Sequence, residues 1–191
     1  MPDIVIVEKP DTVSWDAIHA LLWKAHAANR EKGVAMRYAS LPGEEIRQRI
    51  EGKGRMFCVL DGDELVGVGA VVPKETRLWF DRKPVTYGYL CFAGVLPDYA
   101  GRGVYRELLA AREKACAEMG LDRILFDTHE ANERVLAINR ENGYRAVDYR
   151  YYNDHCNVMM VKWLQACPHS CFRLRCGFAL RKLLVRMKHR S

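Results

Sequence analysis

Two glycines two residues apart stand where a strand-like run gives way to a helix-like one, in Val95-Leu96-Pro97-Asp98-Tyr99-Ala100-Gly101-Arg102-Gly103-Val104-Tyr105. Glycine tolerates positive φ and lets a backbone approach a ligand closely, so amides at the start of the following helix can point at an anion. A pyrophosphate would fit there, and a tight turn without any ligand is the other reading of the same residues. A dinucleotide fingerprint is excluded, because no third glycine follows at the required place and the preceding strands come as a hairpin. A Walker A loop is excluded for want of Gly-Lys-Ser/Thr. Cys167, His169, Cys171 and Cys176 match no usual pair of zinc-binding units, so no metal is expected. Cys91 invites an acyl-enzyme, but cysteine of this kind is expected to be a small buried hydrophobe.

The elements that must position this turn can be read from periodicity and punctuation. Residues 3–8 form a β-branched run that Pro10 ends. Ser14 is a plausible N-cap for a helix of about five turns carrying Trp15, Ile18, Leu22 and Ala25 on one face, up to Gly33. Leu41 to Glu51 predicts a shorter helix with Glu44 and Glu45 in its first turn. Arg55–Leu60 and Leu65–Val72 flank an Asp-Gly turn and read as a hairpin, followed by a strand over Thr86–Val95. Beyond Pro97 strands alternate with helices. Arg102–Met119 is amphipathic through Val104, Leu108, Ala111, Ala115 and Met119, and Gly120 closes it. A short strand over Arg123–Phe126 precedes a helix from Asn132, its cap, to Asn142 and Gly143. Tyr144–Tyr151 and Asn157–Leu164 are closing strands joined by the polar loop Asn153-Asp154-His155.

Composition narrows the class. Of 191 residues, 49% are hydrophobic and 28% charged, which excludes disordered, collagen-like and coiled-coil chains. No run approaches ~18 uninterrupted apolar residues, and the first residues lack the layout of a secretory signal, so the cytoplasm is the expected address. Seven scattered cysteines, an odd number, are expected to be reduced thiols. The net charge of +6 is unevenly placed. Residues 167–191 hold seven basic and no acidic residues, whereas 1–166 hold 23 basic against 24 acidic. Any argument about polyanions therefore belongs to the tail alone.

The frame Val-x-Pro-x-Tyr-x-Gly-x-Gly resembles the first signature of the GNAT (Gcn5-related N-acetyltransferase) superfamily, with Asp98 where Arg or Gln is usual. Asn132 through Tyr144 resembles the second, an Asn opening a helix that ends in Gly-Phe or Gly-Tyr. With the element order, the resemblance covers about residues 3–164. It implies an α/β (α+β) fold whose mixed, mostly antiparallel sheet of six to seven strands is splayed between strands four and five and flanked by helices. It implies acetyl-CoA as acyl donor, with the pyrophosphate on the amides of Gly101, Arg102, Gly103 and Val104. Further cofactor contacts are expected at Val95, Leu96, Tyr105, Asn132 and Asn139. The tyrosine that many members use to protonate the departing thiolate falls at Asn139, which can donate a hydrogen bond but no proton, so Tyr144 or Tyr105 would substitute. The fourth strand lacks the frequent family glutamate, which leaves Asp127 and His129 as candidate bases, with Glu130 next. Histidine's ordinary pKa of ~6.5 suits base work. Local capping for Asp127 and a surface place for His129 are the alternative readings.

The first helix and residues 33–54 would build one wall of the acceptor site, offering Trp15, Trp23 and Tyr38, although the spacing of Trp15 suits core. The loop Trp79-Phe80-Asp81-Arg82 either reads a sugar or cationic amine or packs on its own body. In the tail, Phe172, Cys176, Ala179, Leu180, Leu183, Leu184 and Met187 share one arc, while Leu174, Phe178 and Val185 form a smaller stripe. Residues 1–166 are expected to be the catalytic domain and 167–191 a basic amphipathic helix that docks on the body or forms a homodimer, ahead of membrane-surface and nucleic-acid contact. The function expected is transfer of acetyl from acetyl-CoA to a primary amine of a small molecule in a ternary complex. The rival is a non-catalytic acyl-CoA-binding module of the same fold, which the asparagine at 139 and the missing strand glutamate keep open.

Overall fold

The computed structural model describes residues 4–34, 37–152 and 155–189. The elements are β1 (Ile4–Glu8), α1 (Trp15–Ala25), α2 (Ala27–Glu31), α3 (Gly43–Ile50), β2 (Arg55–Asp61), β3 (Glu64–Thr76), β4 (Val85–Val95), α4 (Val104–Glu118), β5 (Arg123–His129), α5 (Glu133–Glu141), β6 (Arg145–Tyr152), β7 (His155–Trp163) and α6 (Cys171–Lys188), with short 3-10 turns at Arg37–Ser40 and Pro97–Tyr99. The seven strands are ordered β1-β2-β3-β4-β5-β7-β6 in a mixed sheet, as the fold class required. Two compact units divide the chain: residues 1–73 with 88–120, and residues 74–87 with 121–191.

In the first unit, β1 pairs antiparallel with β2 (Val5 opposite Leu60), and β2 with β3 around a turn in which Gly62 takes φ +58°. Ser14 caps α1 by accepting from the Ala17 amide at 3.0 Å. Ile18 and Leu22 of α1 meet Ile46 and Ile50 of α3, Met56 and Cys58 of β2, and Phe92 of β4 in one apolar cluster. The expected five-turn helix does not run through. It breaks at His26, whose φ of −105° and ψ of 13° leave the helical region, and α2 restarts at Ala27. The inner face of α4 is also rotated from the one expected. Leu109, Arg112 and Cys116 are buried with Val104, Leu108 and Ala115, whereas Ala111 and Met119 are half-buried. Arg112 lies flat on β3, where a Cβ at Gly69 would stand 3.2 Å from its Cζ.

In the second unit, β7 is flanked by β5 (Asp127 opposite Met159) and β6 (Tyr149 opposite Val158), both antiparallel. Residues 153 and 154 of the expected closing loop lie outside the described residues. Ser170 caps α6, which packs on β6 through the smaller stripe. Leu174 is buried, the rings of Phe178 and Tyr149 stand 6.4 Å apart, and Gly177 meets the Trp79 indole. Arg181 pairs with the buried Asp148 carboxylate, which Arg150 also reaches at 3.1 Å. The larger apolar arc, with Phe172, Leu180, Leu183, Leu184 and Met187, is left exposed.

Candidate active site

The glycine turn sits at the end of β4. The Leu96 amide bonds to the Val66 carbonyl at 2.9 Å, and Pro97–Tyr99 then winds one 3-10 turn. Tyr99 fastens it by donating its hydroxyl to Asp61 Oδ2 at 2.8 Å, a bond that pushes the phenol up to about 12. Gly101 and Gly103 take φ of +84° and +85°, conformations that side chains with a Cβ resist. Gly103 is the N-cap of α4 and has no side chain with which to satisfy the first helical amides. Helix geometry thus leaves those amides for an outside acceptor, at the positive end of the helix dipole. The whole bend from Gly101 to Gly103 is exposed, and a Cβ at either glycine would find nothing within 4 Å. Arg102, whose guanidinium lies 5.0 Å from the Tyr99 ring, adds a cation beside it.

Upstream, β4 is kinked. Phe92 takes φ +50°, an unusual conformation for a bulky residue, although its ring is buried. The kink is braced from α1. A Cβ at Gly94 would lie 3.0 Å from Ala25 Cβ, and His26 Nε2 sits 2.9 Å from the Ala93 carbonyl oxygen. That contact needs a proton on Nε2, and Nδ1 accepts from Asn29 Nδ2 at 3.1 Å, so His26 is the neutral Nε2–H tautomer. Burial holds its pKa below 6.5. Tyr38 stands edge-on to both His26 and Phe92. Of the aromatic residues expected in the acceptor wall, Tyr38 braces the kink and Trp15 is half-buried against the core. Trp23 is 45% exposed, with the Arg30 guanidinium 3.6 Å from its ring centroid.

In the second unit, the end of β5 gathers several of the expected residues. Asp127 Oδ2 accepts from Asn157 Nδ2 at 2.6 Å, a bond between β5 and β7. His129 Nδ1 accepts from the Ala131 amide at 3.0 Å, and its ring stacks on His155 with centroids 5.3 Å apart. Asn132 occupies the N-cap position of α5 without capping it, and donates instead to Thr128 Oγ1 at 3.1 Å. Asn139 and Tyr144 are brought together at the other end of α5, where the Tyr144 amide bonds to the Asn139 carbonyl at 3.0 Å. Both are buried; Asn139 Nδ2 is turned back to Val135 O at 2.8 Å, and the Tyr144 ring is edge-on to Phe126.

The Trp79–Arg82 loop packs on its own unit. Asp81 is 7% exposed, pairs with Arg123 at 3.1 Å and accepts from Tyr87 Oη at 2.7 Å and the Leu78 amide at 2.9 Å. Phe80 is buried and the Trp79 indole donates to Val147 O at 2.7 Å. With its carboxylate so engaged, the loop is a structural plug rather than a reader of sugars. Sequence reasoning missed His26 and the kink at Phe92. No glycine or proline marks the helix break, and a positive φ at phenylalanine has no local signature.

Residues 15–144 match the family model described as Acetyltransferase (GNAT) family. The chain belongs to that family. It is 27% identical over 99 residues to N-alpha-acetyltransferase MAK3 of Arabidopsis thaliana, and this match spans about half the length of each protein. Among solved structures, an acetyltransferase from Streptococcus agalactiae superposes with a TM-score of 0.66 at 17% identity, covering 86% of this chain and 100% of that one. The structure of yncA from Salmonella typhimurium with its cofactor acetyl-CoA gives 0.63 at 14%, covering 88% and 99%. The ribosomal-protein-S18-alanine N-acetyltransferase of Escherichia coli gives 0.60 at 14%, covering 87% and 97%. At these identities the structural likeness establishes the fold.

Proposed function

We propose that this GNAT protein is an N-acetyltransferase that moves the acetyl group of acetyl-CoA directly to a primary amine of a small molecule within a ternary complex. The observation that carries the reading is the exposed left-handed bend Gly101–Gly103 opening α4. Its amides suit the diphosphate of CoA, with Arg102 supplying a counter-charge. A kinked β4 fits the same reading. In that reading backbone groups of this strand, which bends through the positive φ of Phe92, pair with the pantetheine arm. The acetyl donor supplies the activated thioester, while the protein supplies position and hydrogen bonds.

In the reaction the amine nitrogen attacks the thioester carbonyl carbon, the carbon–sulfur bond breaks, and CoA leaves as a thiolate. A proton leaves the amine and one is taken up by sulfur. Asp127 is assigned the amine's proton in preference to His129. The Ala131 amide occupies the Nδ1 lone pair of His129, so its proton sits on Nε2 and neither nitrogen is ready to accept another. Tyr144 is assigned to the departing sulfur, since the Asn139 amide has no transferable proton and one of its donors is already given to Val135.

A second reading, acetylation of a protein's N-terminal amine, is favoured by the match to an N-alpha-acetyltransferase over half of each chain. Release of CoA thiol is measured with acetyl-CoA and two panels, small primary amines and short peptides with unblocked N-termini. Turnover confined to small amines is the expected result, and turnover confined to peptides selects the second reading. Tight acetyl-CoA binding with no turnover on either panel leaves the non-catalytic module. With an acceptor in hand, Asp127→Asn is expected to lower kcat by about 10²–10⁴-fold, the usual contribution of a general base.

A further inference from the structure

The surface least accounted for by acetyl transfer is the outer side of α6. Phe172, Leu180, Leu183, Leu184 and Met187 are 55% to 78% exposed, and at 3.6 residues per turn they fall on one arc of about 120°. Five large apolar side chains in one stripe are more than scattered surface hydrophobes, and such patches mark interaction sites. The inner side of α6 is already satisfied by Leu174, Gly177, Phe178 and the Arg181–Asp148 pair, so the helix has no need to roll and hide the stripe. Arg173 falls within the arc and Arg175 about 60° beyond its edge, both exposed and without an ion-pair partner among the described residues.

Charge decides the occupant. Arg181, Lys182 and Arg186 are paired with Asp148 and Glu130 of the body, so a second copy of this face would set the exposed Arg173 and Arg175 against their own counterparts. The remainder of a second copy is close to neutral and offers no compensating surplus. A nucleic-acid duplex supplies negative charge but nothing for five apolar side chains to enter. An anionic bilayer supplies both, lipid phosphates for the arginines and the acyl boundary for the stripe. Among the described residues no helix is long and apolar enough to cross a membrane, so α6 would lie in the surface rather than span it.

We propose that α6 is a membrane-surface anchor that lays Phe172, Leu180, Leu183, Leu184 and Met187 into an anionic lipid leaflet, with Arg173 and Arg175 on the headgroup phosphates. The test is co-sedimentation of the full chain with vesicles of phosphatidylcholine alone and of phosphatidylcholine mixed with phosphatidylglycerol. Binding to the mixed vesicles only, weakened by salt, is expected. Arg173→Ala with Arg175→Ala lowers partitioning by on the order of 30-fold, at about fivefold per basic residue. Leu180→Glu with Leu184→Glu abolishes it while leaving the thermal melt in place. Should the glutamate pair disturb folding, the arginine pair, which replaces exposed side chains, still decides the question. No vesicle binding, or equal binding to both compositions, overturns the proposal. So does a dimer in sedimentation velocity that Leu180→Glu disrupts in a protein that ignores vesicles, or a duplex DNA that binds more tightly than the mixed vesicles do.

Discussion

Replacing Gly101 by valine separates the bend's role in binding from its role in folding. At φ +84° a β-branched residue is strained by about 1–3 kcal/mol, and because nothing lies within 4 Å of the new Cβ, no packing clash adds to that. Against a domain stability of about 5–15 kcal/mol the variant stays folded. The strain is relieved by rotating the peptide planes on either side of residue 101, which turns away the amides assigned to the diphosphate. Losing two hydrogen bonds to a charged group costs about 1.5–3 kcal/mol each, or roughly 10²–10⁴-fold in acetyl-CoA affinity. Gly62→Val is the matched control: φ there is +58°, the space is equally open, and the position is the turn between β2 and β3. Calorimetric titration with acetyl-CoA should show the loss for Gly101→Val alone, while thermal melts fall by similar amounts in both variants. Unchanged affinity in Gly101→Val, or an equal loss in Gly62→Val, refutes the assignment of this bend to the diphosphate.

Three more outcomes follow from groups already described. Burial, the largest influence on His26, keeps its folded pKa below 6.5, so as pH drops the unfolded chain takes up the proton first and stability falls with it. Urea midpoints should therefore be flat above about pH 7 and decline below pH 6.5, and a decline of equal slope in His26→Gln would rule out this histidine as the source. Gly177→Val places a Cβ 2.3 Å from Trp79 Cζ2, so α6 must shift off the indole at a cost of about 1–3 kcal/mol, read as a changed Trp79 emission and faster proteolysis within 171–189. Burial pushes the thiols of Cys58 and Cys116 up to about 11 and about 12, so iodoacetamide at pH 8 should label the exposed Cys171 and Cys176 and spare those two. Mass spectrometry finding Cys116 labelled as fast as Cys171 in folded protein would contradict that burial.

Features that depend on near neighbours in the chain are legible in the residues alone. Alternation and turn residues located β2, β3 and β4, and two glycines before Val104 marked the bend that opens α4, since a left-handed conformation is a property of the residue that adopts it. Ser14 was legible as a cap because capping closes over three residues. What the tertiary structure decided depends on groups far apart in the chain. At His26, where the first helix breaks, the imidazole bonds to a carbonyl 67 residues away. Asp127 is bound by Asn157 across β5 and β7, which no local pattern could distinguish from a cap. The Trp79–Arg82 loop turned inward because Arg123 meets Asp81 in the fold. The amphipathic pattern of α6 offered two apolar stripes, and only the partners on the body, Asp148, Tyr149 and Trp79, selected the smaller one for burial. A hydrophobic pattern records which side chains gain by leaving water, whereas which of them find a surface to leave it for is settled by the rest of the molecule.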